Sequence, residues 1–126
     1  MLPKDIGLVI AYTGMNSHDD VLDAGTGSGI AAIYFGGIAK SVKTYEVRPD
    51  FSALAAKNIR EAKLDNVEAV AADVLSATGM FDIVHLDMQI APEYVVHAFS
   101  LVRAGGYLAC YTPLSLIHIS EPTRPY

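Results

Sequence analysis

A glycine-rich turn that directly follows a short apolar strand is the feature that most restricts how this chain can fold. The segment VLDAGTGSG, residues 21–29, sets an apolar run before glycines at positions 25, 27 and 29, and an apolar helical pattern follows. A strand that enters a helix through such a turn is typical of parallel β–α–β units. Glycine adopts positive φ there and lets a ligand approach the backbone without a Cβ in the way. The turn therefore predicts an α/β fold with a binding site at the carboxyl end of this strand.

The rest of the chain alternates short apolar runs with helical patterns in the same way. The predicted strands are residues 21–24, 41–47, 67–72, 81–86 and 107–111. The predicted helices are residues 3–12, residues 30–38, a helix that Asp50 caps, and residues 92–102, which Gly105 and Gly106 close. Alternation of this kind gives right-handed crossovers. We therefore expect the fold class α/β, with a Rossmann-like doubly wound parallel sheet in the strand order 3-2-1-4-5.

Composition limits the chain to one small domain and excludes several classes of protein. Its 126 residues are 52% hydrophobic, which suffices for a core and is too apolar for a disordered chain. A net charge of −5 excludes a basic module that binds nucleic acid by charge alone. The single cysteine excludes a disulfide framework and a cysteine-built zinc site, so we expect no metal and a reducing, cytoplasmic location. Because no apolar run approaches the roughly 20 residues that span a bilayer, we expect no membrane segment.

Two acidic residues beside the turn help to decide between candidate cofactors. Asp23 lies two residues before the first glycine, and Glu46 ends the next predicted strand, where it can accept both hydroxyls of a ribose. The spacing G-x-G-x-G differs from the G-x-G-x-x-G of dinucleotide sites, and Asp23 would repel a pyrophosphate. A cofactor with an ammonium and a sulfonium in place of phosphates fits better, which favours S-adenosylmethionine. A nicotinamide cofactor and a merely structural glycine turn remain as alternatives.

Six stretches of the sequence together resemble a known family. They are LPKDIGLVIAYTGM (2–15), VLDAGTGSG (21–29), TYEVRPDF (44–51), LDNVEAVAADV (64–74), FDIVHLDM (81–88) and LVRAGGYLACYTP (101–113). On these residues the chain resembles the class I S-adenosylmethionine-dependent methyltransferases and, within them, the archaeal tRNA (adenine(58)-N(1))-methyltransferases. The glycine loop is common to the whole superfamily. The PKD-containing helix and the YTP segment after the fifth strand are the features that narrow the resemblance to the archaeal tRNA methyltransferases.

The resemblance implies a role for each candidate site residue. The methionine end of S-adenosyl-L-methionine would be bound by Asp23 and by the loop residues Gly25, Thr26, Gly27, Ser28 and Gly29. Glu46 would bind the ribose hydroxyls, and Asp73 would accept a hydrogen bond from the adenine amine. Asp87 would be the catalytic residue that orients the target adenine for methylation at N1. The resemblance also implies tRNA as the partner and a homo-oligomer, since the family forms tetramers.

The last thirteen residues, LSLIHISEPTRPY (114–126), resemble the translation of a common sequencing-library adapter. We therefore expect residues 1–113 to be a fragment of a methyltransferase domain, without the family's β-rich N-terminal domain and without its last two strands. The edge of the fifth strand would then be unpaired, unless the tail covered it by chance. The alternative is that the tail contains a genuine strand followed by a proline-rich terminus.

Two other functions are compatible with these residues. Protein isoaspartyl and precorrin methyltransferases share the glycine loop, and a non-catalytic Rossmann-like subunit would bind a partner without turnover. The chain has LDMQIAPEY where the resembled family has LDLPDPW-like residues, so Gln89 replaces a proline and Tyr94 is the candidate aromatic residue. We expect His85, which lies within an apolar strand, to be a packed residue rather than a catalyst.

Overall fold

In a computed structural model of the chain, one sheet of six strands is covered by helices on both faces. The structure describes residues 3–25, 27–88, 91–111 and 115–119. The helices are α1 (Pro3–Thr13), α2 (Ile30–Gly36), α3 (Pro49–Glu61) and α4 (Pro92–Leu101). The strands are β1 (Asp20–Ala24), β2 (Ser41–Tyr45), β3 (Val67–Val70), β4 (Phe81–Leu86), β5 (Val102–Cys110) and β6 (Ser115–His118). No helix within the described ranges is long and apolar enough to cross a membrane.

The strand order confirms the predicted architecture. It is β3-β2-β1-β4-β5-β6, with β1 to β5 parallel and β6 antiparallel to β5. The chain order reverses between β1 and β4, which are paired from Val21 with Ile83 to Ala24 with Leu86. At such a switch point the connections leave towards opposite faces of the sheet, so a crevice opens beyond the carboxyl ends of the two strands.

Alternate side chains of the central strands fill two separate cores. Val21 of β1 and Ile83 of β4 pack against α1, α2 and α3 on one face of the sheet. The next residues along, Leu22 and Val84, pack against α4 on the other face. Successive side chains of a strand point to opposite faces, so a strand covered on both sides becomes a continuous apolar run. This is why β1 and β4 carry apolar residues at successive positions, Val21 and Leu22 in β1 and Ile83 and Val84 in β4.

The start of α3 differs from the prediction. Asp50 does not cap the helix, because α3 already begins at Pro49, and the N-cap residue is Arg48 in an extended conformation. Proline suits the first helical position, where its missing N–H would have no partner and its fixed φ matches the helix. Asp50 lies instead in the first turn, where its negative charge interacts favourably with the helix dipole.

The prediction that Gly105 and Gly106 end a helix is wrong. β5 begins at Val102, directly after α4, and both glycines lie within the strand. The register between β4 and β5 shifts in this segment, and Gly105 has a φ of +86°. A Cβ at Gly106 would overlap the backbone carbonyl oxygen of Asp82. The glycines therefore form a bulge that β4 can approach closely, which is a common use of glycine in strands.

The outer edge of β5 is paired, contrary to the expectation of a sheet that ends at the fifth strand. β6 runs antiparallel to it, with partners from Tyr107 and His118 to Cys110 and Ser115. The rings of Tyr107 and His118 stack with their centroids 4.6 Å apart, and Leu116 packs against the core under α1. Leu116 packs against one core cluster and Ile119, just after β6, packs against the other, so the segment contributes to both faces of the sheet.

Candidate functional site

A cavity of about 290 Å³ lies at the carboxyl ends of β1, β2 and β4, at the switch point of the sheet. Its lining includes three of the predicted site carboxylates, Glu46, Asp73 and Asp87, and one loop residue, Gly25. The strands bring these carboxylates together from distant parts of the sequence. Within the described ranges, no group of three or more His, Cys, Asp or Glu side chains is arranged to bind a metal ion.

The other predicted loop residues lie outside the lining of this cavity. Gly27, Ser28 and Gly29 continue the turn from the cavity towards α2, and Thr26 lies outside the described residues. Asn58 of α3 donates a hydrogen bond to the Ser28 carbonyl oxygen at 2.8 Å, which fastens the turn to that helix. The turn is thus fastened to α3 near its end, and Gly25 at its start lines the cavity.

Gly25 closes the turn against the end of β4. Its φ is +82°, and a Cβ at this position would overlap the backbone carbonyl oxygen of Asp87. The N–H of Asp87 in turn donates to the Ala24 carbonyl oxygen at 2.9 Å. Gly25 therefore lets two strand ends approach each other, whereas a Cβ at Gly27 would meet open space. The open position is the one where a ligand can approach the backbone.

Glu46 is a buried carboxylate with four hydrogen-bond donors. Its side chain is 4% exposed and accepts from the Gly27 N–H at 3.1 Å. The Arg48 backbone N–H, Nε and Nη2 donate to it at 3.2, 3.1 and 2.9 Å. The Arg48 guanidinium is the largest cause that lowers the pKa of Glu46 to about 2, followed by the backbone N–H groups acting against desolvation. Glu46 is therefore ionised at neutral pH. Its four donors match the roughly four acceptor sites of a carboxylate, so a ligand hydroxyl would bind Glu46 by replacing an Arg48 side-chain donor.

Asp73 follows β3 and caps a short 3-10 turn, Val74–Ser76. Its Oδ1 accepts from the Leu75 N–H at 2.9 Å, and its Oδ2 accepts from the Tyr94 hydroxyl at 2.9 Å. The hydrogen bond to Asp73 is the main cause that raises the pKa of the Tyr94 phenol. Tyr94, the candidate aromatic residue of the LDMQIAPEY stretch, lies in the cavity wall beside Asp73.

Asp87 stands at the end of β4, and the pKa of its carboxyl is raised. Partial burial is the main cause, and the charges of Asp23 and Asp5 add to it while His85 acts against it. The Tyr111 hydroxyl donates to Asp5 at 3.4 Å, and the charges of Asp5 and Asp87 both raise the pKa of Tyr111. This end of the cavity is therefore acidic, with α1 and the end of β5 close to Asp87.

Asp23 is buried beneath the glycine turn, 1% exposed, and does not reach the cavity surface. Its Oδ2 accepts from the Thr44 hydroxyl at 2.7 Å, and its Oδ1 lies 2.6 Å from His85 Nδ1. His85 is fully buried, as expected for a packed residue, and no described residue bonds its Nε2. The predicted contact of Asp23 with a cofactor stays a prediction, and in this geometry its charge acts from below the turn.

Sequence reasoning missed the partners of these carboxylates. Arg48 was not singled out, although it lies only two residues after Glu46. The register of the sheet accounts for the contacts of Asp23, because Asp23 is paired with Thr44 in β2 and with His85 in β4. Residues at paired positions of adjacent parallel strands lie on the same face of the sheet.

Comparisons of the sequence with known proteins point to methyltransferases. The family model described as protein-L-isoaspartate(D-aspartate) O-methyltransferase (PCMT) matches residues 2–89. A tRNA (adenine(57)-N(1)/adenine(58)-N(1))-methyltransferase, TrmI, of Methanocaldococcus jannaschii is 44% identical over 62 residues, which are 47% of this chain and 22% of that protein. A protein-L-isoaspartate O-methyltransferase of Methanoculleus marisnigri is 32% identical over 71 residues, or 56% of this chain and 32% of that protein. The matched segments thus span a third or less of each relative.

Solved structures share the fold. A SAM-dependent O-methyltransferase from Thermotoga maritima superposes with a TM-score of 0.81 at 23% identity, covering 87% of this chain and 44% of that one. The tRNA (m1A58) methyltransferase TrmI from Aquifex aeolicus superposes with a TM-score of 0.80 at 24% identity, covering 87% and 46%. At such low identities the likeness establishes the fold alone.

Proposed function

The chain belongs to the protein-L-isoaspartate(D-aspartate) O-methyltransferase family and has the class I SAM-dependent methyltransferase fold, and from this premise we propose that it methylates N1 of adenine in tRNA. The cofactor of this superfamily is S-adenosyl-L-methionine, which when bound supplies a methyl group on a positively charged sulfur. Because the chain spans less than two thirds of its relatives, the activity, the tRNA partner and the homo-oligomer are proposals for the whole protein.

The residues of the cavity fit this cofactor. The polar groups of S-adenosyl-L-methionine are hydroxyls, an amine and two positive charges beside one carboxylate. The ionised carboxylates of the cavity accept hydrogen bonds but cannot donate them, so they match the donors of the cofactor. In this proposal Glu46 takes the ribose hydroxyls and Asp73 the adenine amine. Gly27, with open space in front of its backbone, borders the methionine end. The buried carboxylate of Asp23 favours a cation above the turn, since the hydrogen-bond contacts that the described residues make with it come from the uncharged Thr44 hydroxyl and the His85 ring.

The position of Asp87 is the single observation that carries the choice of acceptor. It lines the same cavity as the two donor-binding carboxylates, at the end that Asp5 also makes acidic. Adenine N1 is a neutral nucleophile and becomes cationic when methylated, so a nearby carboxylate stabilises the charge that develops. Holding N1 in line with the methyl group supplies the rest of the rate enhancement. A carboxylate acceptor would be repelled by Asp87 and Asp5.

Carboxyl methylation of an isoaspartyl residue is the second candidate function. The family model and the Methanoculleus marisnigri relative favour it, because both carry that activity in their descriptions. For this acceptor to bind, one of the two carboxyls at the acidic end has to be protonated. The raised pKa of Asp87 makes it the group that would take the proton.

Labelled methyl transfer distinguishes the two candidates. The protein is incubated with methyl-tritiated S-adenosyl-L-methionine and either an unmodified tRNA transcript with adenine at position 58, the same transcript with guanine there, or an isoaspartyl peptide. We expect label only in the adenine transcript, recovered as 1-methyladenosine. Asp87→Asn should lower the rate about 100-fold, as for loss of one transition-state contact, and leave cofactor affinity unchanged by calorimetry.

The matched control is Asp65→Asn, which removes an exposed carboxylate from the turn before β3. It should methylate the transcript at the wild-type rate. Label in the peptide instead of the tRNA would establish the second candidate. Cofactor binding without label in either substrate would contradict both candidate activities for this chain.

A further inference from the structure

We propose that Tyr94 is a positioning residue that fixes the Asp73 carboxylate, and that through this contact α4 sets the preference of the cofactor site for a purine with an exocyclic amine. The inference rests on the proposed function, because it takes Asp73 as the acceptor for the amine of the cofactor's adenine. It adds a residue of α4 that lies beside Asp73 in the cavity wall.

Two hydrogen bonds from different elements determine how the Asp73 carboxylate is oriented. The Leu75 N–H anchors Oδ1 from within the same short turn, and the Tyr94 hydroxyl anchors Oδ2 from α4. With only the first contact, the carboxyl group could still rotate about its Cβ–Cγ bond. Two anchored oxygens fix both its position and its plane, and each oxygen keeps an acceptor site for a ligand.

A second contact between the same two elements provides an internal comparison. His97 lies one helical turn after Tyr94, and its Nε2 is 3.0 Å from the Ala77 carbonyl oxygen. Both contacts fasten α4 to the segment after β3, but only Tyr94 touches Asp73 and lines the cavity. Loss of His97 therefore loosens the attachment of α4 without freeing the carboxylate.

The Asp73 carboxylate, held by Tyr94, distinguishes between purines by the hydrogen-bonding group at their position 6. The 6-amino group of adenine carries two N–H donors, which the free acceptor sites of Asp73 can receive. A 6-oxo group is only a hydrogen-bond acceptor, so it could form no hydrogen bond with the Asp73 carboxylate. A site built to bind an N–H rejects the analogue that lacks it, because its buried polar groups are then left unpaired.

Binding of two product analogues to the full chain tests the inference without turnover. Isothermal titration with S-adenosyl-L-homocysteine and S-inosyl-L-homocysteine measures the preference directly. The wild-type protein should prefer the adenine compound. Tyr94→Phe keeps the ring and removes the hydroxyl, so it should weaken that compound about three- to tenfold, the usual effect of one hydrogen bond. Binding of the inosine compound should stay unchanged, and His97→Ala should preserve the wild-type preference.

A measurement on the ligand-free protein reports the contact itself. With ¹³Cζ-labelled tyrosine, the Tyr94 phenol should titrate at a higher pH in the wild-type protein than in Asp73→Asn, because the carboxylate acceptor raises its pKa. Unchanged selectivity in Tyr94→Phe, or an equal loss in His97→Ala, would overturn the positioning role. A wild-type protein that binds neither compound contradicts the proposed function as well, and the phenol titration then shows whether the Tyr94–Asp73 contact exists on its own.

Discussion

Replacing Glu46 with glutamine is expected to destabilise the ligand-free fold in a pH-dependent way. Arg48 and the backbone N–H groups of Arg48 and Gly27 lower the pKa of Glu46 from 4.5 to about 2. One pKa unit corresponds to about 1.4 kcal/mol, so the ionised carboxylate would contribute about 3 kcal/mol to the free energy of unfolding. The Arg48 side chain is 54% exposed. Solvent screening of this partner therefore reduces our expectation to about 2 kcal/mol.

The direction of the pH dependence follows from proton linkage. A carboxyl group with a lower pKa in the folded than in the unfolded protein stabilises the fold fully at pH values above its unfolded pKa. For Glu46 this stabilisation is complete above about pH 5 and is lost as the pH falls from 4.5 towards 2. The difference in free energy of unfolding between wild type and Glu46→Gln should therefore shrink by about 2 kcal/mol across this window.

Urea unfolding followed by far-UV circular dichroism, repeated at several pH values, measures this difference. Arg48→Met is the companion variant, because Arg48 is the largest cause of the lowered pKa. In that background the effect of Glu46→Gln should be smaller and less dependent on pH. A difference between wild type and Glu46→Gln that is the same at neutral pH and near pH 3 would refute the assignment of the stabilisation to the ionised carboxylate.

Two further predictions concern the backbone. Gly25→Ala should lower the free energy of unfolding by roughly 2–4 kcal/mol, since its Cβ overlaps the Asp87 carbonyl oxygen at positive φ. Gly27→Ala, with positive φ but open space, should cost only about 1 kcal/mol, and equal losses in urea unfolding would contradict the role of the overlap. Deleting residues 112–126 removes β6 and should cause association through the exposed edge of β5, measured by size-exclusion chromatography with light scattering. A monodisperse shortened chain would show that the edge of β5 does not need a paired strand to prevent association.

The sequence predicted the sheet and the location of the site because both depend on local patterns. Apolar runs alternating with helical periodicity determine a doubly wound sheet. Acidic residues placed after its strands, such as Glu46 and Asp87, then have to converge at one edge. The glycine pair in β5 was misinterpreted because glycines also end helices. Only the close approach of the Asp82 carbonyl oxygen, which is a tertiary contact, reveals that a bulge needs them.

The hydrogen-bond partners of the carboxylates could not be predicted in the same way. Whether Asp23 faces a ligand or the core depends on the register of β1 against β2 and β4, which brings Thr44 and His85 beside it. The Tyr94–Asp73 contact joins residues on two elements whose relative position is set by packing of α4 on the sheet. Pairing of this kind is a property of the assembled fold, so a pattern along the chain does not encode it directly.

The arrangement of the cavity explains how one chain can match methyltransferases with different acceptors. In the proposed function, the residues assigned to the cofactor lie on β1, in the turn after it, after β2 and after β3, and all of them precede the end of β4. The match to the carboxyl-methylating family covers residues 2–89, so it contains this whole donor half and reaches only the beginning of the acceptor segment. In the same proposal, Asp87 and Met88 are the first acceptor-side residues among those that line the cavity. Acceptor specificity should therefore follow substitutions from position 87 onward, and exchanging that segment between relatives with Tyr94 kept should exchange the acceptor while cofactor affinity stays constant.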